Sequence, residues 1–421
     1  MTGRATAILE AIFGESFRRN FDVRLWDGMT LPSTNGHSDF TFVVNTPGAL
    51  RSAFTPPLER NAGNAFISGI IDIEGNLPEA IAQINAASSS RTAFQKAQIA
   101  LALLRLPREA RPEPPGAADL HGKSHSRERD RAAISYHYDH PVAFYRAFLD
   151  PDMVYSCAYY DDAVTNLDDA QQAKLDYILR KLRLEPGMSF LDIGCGWGSL
   201  VIAAAKRGAQ ALGITLSRVQ HDEANRRIEE LGLGERARVE FRDYRDLRDL
   251  TFDRIASIGM VEHVGRKLLP RYYASAYAAL RPGGLFLNHG IAEQSPGRKA
   301  PPNPFIERYV FPDGDLVAVA DSLAIAERHG FEVRDVENLR EHYARTLRAW
   351  VDNLERNREE AIAQAGEAAY RVWRLYMAGS AVSFDNASIG IYQSLLARPD
   401  SGGKVMIPPT RRDLYTLSSR A

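Results

Sequence analysis

Cysteine is nearly missing from this chain, with two in 421 residues. That excludes a disulfide scaffold and fits a reducing compartment. Long apolar runs are missing as well: no stretch of roughly 18 or more apolar residues occurs, so no transmembrane helix is expected. The segment Met1–Phe17 carries one early Arg, and Glu10 breaks its short apolar run; it lacks the apolar region and cleavage site of a signal peptide. The expectation is a cytoplasmic protein whose membrane contact is peripheral. Neither sign of charge is in excess. Fifty-two Lys and Arg stand against 53 Asp and Glu, a net charge of -1, which argues against a dedicated nucleic-acid binder. What is present is ordinary globular composition, 45% hydrophobic and 25% charged. It excludes a disordered chain, a collagen or a coiled coil, and the length suggests two or three domains.

The sharpest change of composition lies at residues 107–131. Pro107–Gly116 has the stiff, polar character of a linker, and His121, Lys123, His125, Arg127, Arg129 and Arg131 extend it. It reads as a solvated linker, with a basic segment facing anionic lipid as the alternative. Residues 1–106 before it read as a small α+β unit. Strands are expected at Phe40–Val44 and Phe66–Ile73, a helix opens at Leu77–Ile81, and a second apolar helix covers Ala97–Leu106. No chemistry is visible there, which suits a binding or docking module. Residues 132–399 alternate strand and helix, and 400–421 read as a tail. Strands are expected at Met188–Ile193, Gln210–Thr215, Val239–Arg242, Phe252–Ile258 and Leu285–His289, with helices Ser199–Lys206, Arg218–Leu231 and Leu268–Leu280 between them. Arg281-Pro282-Gly283-Gly284 reads as a stop and turn. Such alternation means an α/β fold with a parallel sheet covered on both faces.

The strongest local signal is Leu191-Asp192-Ile193-Gly194-Cys195-Gly196-Trp197-Gly198, following the first strand and opening a helix. Gly194 and Gly196 allow a ligand close to the backbone. The spacing is GxGxG without a P-loop Lys-Ser/Thr, which moves weight from dinucleotides and phosphates toward S-adenosylmethionine (SAM). The second strand ends in Gly213-Ile214-Thr215-Leu216-Ser217 without the usual ribose-binding acid, so Gln220 is the candidate for that role. Asp243, at the end of the third strand, either meets the adenine amino group or caps a helix.

In an open parallel sheet, ligands bind beyond the carboxyl ends of the strands at the switch point. If the order is the doubly wound one, strands one, four and five are neighbours, and Gly194, Glu262 and His289 converge on one mouth. Glu262 and His289 are then either an acid/base pair or an ion-paired Glu and a structural His. Cys195 reads as a small side chain that fits its loop, and Cys157 alone reads as buried and inert. His137 and His140 belong to no spaced ligand set, so no metal site is expected. Most of the aromatics between Tyr272 and Tyr376 should be core, with a subset able to face a cation.

Several segments together resemble the cyclopropane fatty acid synthase family of SAM-dependent methyltransferases: Tyr155-Ser156-Cys157-Ala158-Tyr159, Asn166–Leu175, the glycine loop, Asp243-Tyr244-Arg245-Asp246, Gly259-Met260-Val261-Glu262-His263-Val264-Gly265 and Tyr309–Gly314. The resemblance covers roughly residues 130–398. It implies a class I methyltransferase domain, Rossmann-like with a seven-stranded mostly parallel sheet, behind a small N-terminal α+β lipid-binding domain. It implies transfer of a methylene group from SAM to a cis double bond of a phospholipid acyl chain, on a membrane surface, and a homodimer. It implies a bound bicarbonate as base, held by the residues matching Cys157, Glu262, His289 and Tyr343 with the Ile291 backbone nearby. The cofactor positions it implies are Tyr155, Ser156, Asp192, Gly194, Gly196, Gly198, Thr215, Gln220, Asp243, Tyr244 and Ile258. The chain departs from the family at His140-Pro141, at His289-Gly290-Ile291-Ala292 and at Ser383–Ala387, which bears on the acyl pocket and the product. Competing expectations are a methyl-branched or methylidene product, a lipid-transfer protein with a non-catalytic SAM domain, and a small-molecule methyltransferase.

Overall fold

The computed structural model describes residues 2–13, 20–34, 36–89, 92–109, 114–294, 303–405 and 407–415. Residues 14–19 of the expected N-terminal unit and parts of the expected linker (110–113) and tail (416–421) lie outside the described residues. The chain divides into two compact units. The smaller is Met1–Ala118 with Pro302–Val310 and Leu354–Val382; the larger is Asp119–Pro301, Phe311–Asn353 and Ser383–Ala421. The first crossing falls inside the segment read as a linker. Two later segments, read as catalytic domain, belong instead to the smaller unit. Long-range side-chain pairings hold them there. Arg371 donates to the Phe66 carbonyl at 3.1 Å and to Asp72 at 2.9 Å, Arg374 to the Ile73 carbonyl at 3.1 Å, and Tyr309 Oη to Asn64 at 2.9 Å.

The smaller unit holds a four-stranded sheet in the order β2-β1-β3-β4, made of β1 (Asp22–Arg24), β2 (Thr30–Leu31), β3 (Phe40–Val44) and β4 (Ile71–Gly75). The expected strand at Phe66–Ile73 is corrected. Leu58–Ile67 is a helix that buries Ala65, Phe66 and Ile67, and Gly69 at φ +69° turns the chain before β4 begins. The four isoleucines between Ile67 and Ile73 hide a helix end followed by a buried strand. The helix expected from Ala97 begins at Ala93, because Thr92 and Gln95 form a capping box there.

The larger unit holds β5 (Ser189–Ile193), β6 (Gln210–Thr215), β7 (Ala237–Phe241), β8 (Phe252–Ile258), β9 (Leu280–Glu293), β10 (Glu332–Asn338) and β11 (Ile389–Ala397). Their order is β10-β11-β9-β8-β5-β6-β7. Only β11 runs antiparallel to its neighbours. The doubly wound order is therefore present, and β5, β8 and β9 are adjacent. The Arg281–Gly284 turn is absorbed into β9. The β8–β9 register shifts between Phe252 and Arg254, Gly283 takes φ +78°, and Gly283 and Gly284 exchange backbone hydrogen bonds with Arg398.

Alternate residues of each strand feed the two apolar layers. Phe190, Leu285 and Leu287 pack on one face with Ile178, Val201 and Ile202; Leu191 and Phe286 pack on the other with Tyr272 and Tyr273. Gly213 on β6 is a close-approach point. An added Cβ would lie 2.7 Å from Cys195 Sγ and 2.8 Å from Val201 Cγ2. Gly213→Ala is expected to cost about 1–3 kcal/mol, read as a lowered calorimetric midpoint; an unchanged midpoint would mean that the Cys195 loop yields freely.

Candidate functional site

The main cleft opens at the carboxyl ends of β5, β6 and β8, with about 930 Å³ of empty space counted to its open mouth. Its floor is the glycine loop. Gly194 takes φ +79°, and a Cβ there would come within 2.9 Å of Met260; Gly196 takes φ +53° and faces open space. Of the eleven cofactor positions taken from the sequence, Tyr155, Ser156, Asp192, Gly194, Gly196, Thr215, Gln220, Tyr244 and Ile258 line this cleft.

Gly198 and Asp243 are placed elsewhere. Gly198 caps helix Ser199–Lys206 at φ +82°, and an added Cβ would stand 2.9 Å from Ala224. Its smallness serves helix packing. Asp243 caps a single helical turn and accepts from Arg245, at 2.9 Å from the backbone and at 2.8 and 2.5 Å from the guanidinium. Arg242 and Tyr244 line the cleft at this strand end instead. Thr215 Oγ1 donates to Gln220 Oε1 at 2.9 Å, and Ser217 caps the same helix through the Gln220 N–H. Gln220 thereby presents its amide NH2 as donor. Tyr155 packs its ring against Trp350 and Tyr145, at 5.1 and 5.6 Å between centroids.

Among the polar lining residues that sequence reasoning missed are Tyr138, Lys174, Arg242 and His263. The signal for Lys174 was available, since it falls on the buried stripe of helix Leu167–Lys181. His263 follows Glu262 directly. Its Nε2 lies 3.2 Å from Tyr138 Oη, and burial pushes its imidazole down to about 4.

A smaller pocket contains Glu262 and Ile291. Glu262 Oε1 accepts from the Ile291 N–H at 2.6 Å, while Oε2 is buried with no hydrogen-bond partner. Burial pushes this carboxyl up to about 7, against the Ile291 bond. His289 pairs with Ile258 across β8–β9. Its Nδ1 lies 3.4 Å from the Gln393 amide, its Nε2 is buried and unbonded, and burial holds the ring well below its usual range. Cys157 is fully buried, its Sγ donating to the Ala158 and Leu339 carbonyls at 3.3 and 3.8 Å, and burial pushes the thiol up. Tyr343 packs on Phe384 and Trp350. The structure thus joins Glu262 to Ile291; Cys157, His289 and Tyr343 are buried but line neither pocket.

A glycine loop beneath a cleft at the switch point of a 5-4-1-2-3 sheet, with an antiparallel strand beside the fifth, defines a class I SAM-dependent methyltransferase. The profile described as mycolic acid cyclopropane synthetase matches residues 125–394, and another, described only as a domain of unknown function, matches residues 8–96. The chain belongs to the cyclopropane synthase family. It is 39% identical over 398 residues to a "Probable fatty acid methyltransferase" of Pseudomonas putida, covering 93% of this chain and 95% of that one. It is 38% identical over 268 residues to the cyclopropane-fatty-acyl-phospholipid synthase of Escherichia coli, covering 63% and 68%. A crystal structure of a mycolic acid cyclopropane synthase complexed with S-adenosylhomocysteine (SAH) and CTAB superposes with a TM-score of 0.59 at 34% identity, covering 63% of this chain and 97% of that one. The cofactor is SAM, and the family acts on lipid acyl chains.

The buried His263 has a consequence for stability. Its imidazole is harder to protonate in the folded than in the unfolded chain, so the unfolded state binds the proton first. Stability is therefore full above the unfolded value of 6.5 and falls as pH drops toward about 4. His263→Phe is expected to flatten part of that fall in urea melts compared at pH 7 and pH 5. An unchanged pH dependence would place the effect on other groups.

Proposed function

We propose that the protein transfers a methylene group from SAM to the cis double bond of an unsaturated phospholipid acyl chain, forming a cyclopropane ring at the inner membrane face. The observation that carries the reading is Glu262, a buried carboxyl tied to the Ile291 N–H with its other oxygen unspent, inside a chain of this family. An alkene attacks a sulfonium methyl without prior deprotonation. The carbocation formed makes the new methyl strongly acidic, so a weak base suffices if it is held close. When bound, bicarbonate supplies that base.

The residues fit such an anion. Glu262 Oε2 and His289 Nε2 are buried polar atoms with no partner. A carboxyl pushed up to about 7 carries a proton to donate over much of the neutral range. The His289 ring, held neutral, can present an N–H, and positive charge from Lys174 and Lys181 reaches it. The Cys157 thiol stays protonated, so it does not compete as a nucleophile for the cation. The closed surroundings favour ring closure over capture of water.

A second reading, a methyl-branched or methylidene product, is favoured by the Pseudomonas putida relative, which matches along nearly its whole length and is named a "Probable fatty acid methyltransferase". Mass spectrometry of unsaturated phospholipid vesicles incubated with methyl-labelled SAM tests both. A gain of one CH2 with loss of the double bond is expected. A retained double bond selects the second reading, and an unchanged lipid mass removes both. Glu262→Gln is expected to abolish turnover while SAH still binds; loss of SAH binding would mean that Glu262 serves the cofactor.

Docking on anionic lipid is part of the proposal. Helix Ala93–Leu103 and the residue after it expose Phe94, Leu101 and Leu104 at 71%, 63% and 55%, beside exposed Lys96, Arg105 and Arg108. Apolar anchors ringed by cations suit such a surface. Phe94→Ser with Leu101→Ser is expected to reduce co-sedimentation with anionic vesicles several-fold. Undiminished binding would place the docking surface elsewhere.

A further inference from the structure

Strand β8 ends at Ile258, which pairs with His289 on β9. The Gly259 N–H still donates to the His289 carbonyl at 2.8 Å, and Gly259 then turns the chain away at φ +67°. In a parallel ladder the next bond would run from the Ile291 N–H to the Gly259 carbonyl. Glu262 Oε1 accepts that N–H instead, at 2.6 Å. The carboxyl thus continues the ladder one step past the end of its own strand. The Glu262 carbonyl is held in turn by the Asp315 N–H at 3.2 Å.

Val261 precedes Glu262, Gly290 precedes Ile291, and these two residues make a second contact beside the first. A Cβ built on Gly290 would lie 2.2 Å from Val261 Cγ1, the closest approach at any glycine among the described residues. All four residues line the same small pocket. Ordinary contact begins at 3.4 Å, so a side chain at 290 drives the Val261 methyl back by about 1.2 Å. Val261 opens the short helix Val261–Val264 and is β-branched, which leaves its χ1 little freedom to swing the methyl aside. The helix then has to back away from β9 and take Glu262 with it. A retreat of that size carries a 2.6 Å bond out of hydrogen-bonding range.

We propose that Gly290 is a positioning residue: its bare Cα seats Val261, and this seat holds the Glu262 carboxyl on the Ile291 N–H. The seat is a matter of packing alone. Its consequence for turnover rests on the role proposed above for Glu262, where a misplacement of about 1 Å can cost on the order of 10²-fold in rate.

Two readouts separate the seat from the chemistry. Hydrogen exchange at the Ile291 amide, followed by NMR, reports the Glu262 bond whatever Glu262 does in turnover. Label transfer from methyl-labelled SAM to unsaturated phospholipid reports the reaction. Gly290→Ala is expected to speed the exchange at least tenfold and lower kcat at least tenfold, with SAH affinity within threefold of the wild type. Adding Val261→Ala removes the obstructing methyl, and is expected to slow the exchange again and bring kcat back to within threefold of the wild type. Unchanged exchange in Gly290→Ala, no recovery in the double variant, or a loss of SAH affinity matching the loss of kcat would overturn the proposal. Faster exchange with undiminished turnover would keep the seat and remove Glu262 from the reaction. Should Gly290→Ala fail to fold, the double variant decides: a folded, active protein supports the seat, and an unfolded one overturns it.

Discussion

The Ile214 carbonyl accepts two hydrogen bonds, from the Gly194 and Cys195 N–H groups, both at 3.0 Å. This forked contact clamps the glycine loop to the neighbouring strand, and the cleft takes its shape from it. Cys195 is thereby pressed onto Gly213, which has no side chain to resist it. The loop turns through positive φ at Gly194, Gly196 and Gly198, conformations that residues with a Cβ adopt only under strain. Strand, loop and helix Ser199–Lys206 are thus set by one acceptor and three glycines. Every lining residue of β5 inherits its position from them.

Around that frame the titratable groups share a direction. Glu262 and Asp192 are pushed up, while Lys174, His263 and His289 are pushed down, and in each case burial is the largest cause. All five are moved toward their neutral forms. A site of this kind does not solvate charge for itself. It keeps donors and acceptors oriented until ligands arrive.

Five strands of the larger sheet were legible because parallel strands buried on both faces write themselves as short apolar runs between helical periods; β10 and β11, on the antiparallel side, were not read from their residues. Gln210–Thr215 and Phe252–Ile258 fall where their residues predict. The glycine loop was legible because its conformation demands a residue type. Gly198 was harder, since spacing alone cannot separate a glycine that admits a ligand from one that admits Ala224. Asp243 could equally meet adenine or cap a turn, and its bonds to Arg245 become visible only when the fold brings the guanidinium back onto it. The reach of the smaller unit was least legible. Arg371 and Arg374 lie about three hundred residues from the carbonyls they bind, and no local pattern announces such a partner.

The position of β11 has a consequence for the order of assembly. It lies between β9 and β10, although it is the last strand in the chain. Until residues 389–397 are synthesised, β9, which carries His289 and Ile291, has one side without a partner, and β10 has no neighbour in the sheet. A growing chain therefore presents β9 as an open edge, the kind of surface that invites pairing with other chains. Closure of the sheet and burial of His289 become a single late event, so a chain cut short before β11 would expose an edge that the finished protein never presents.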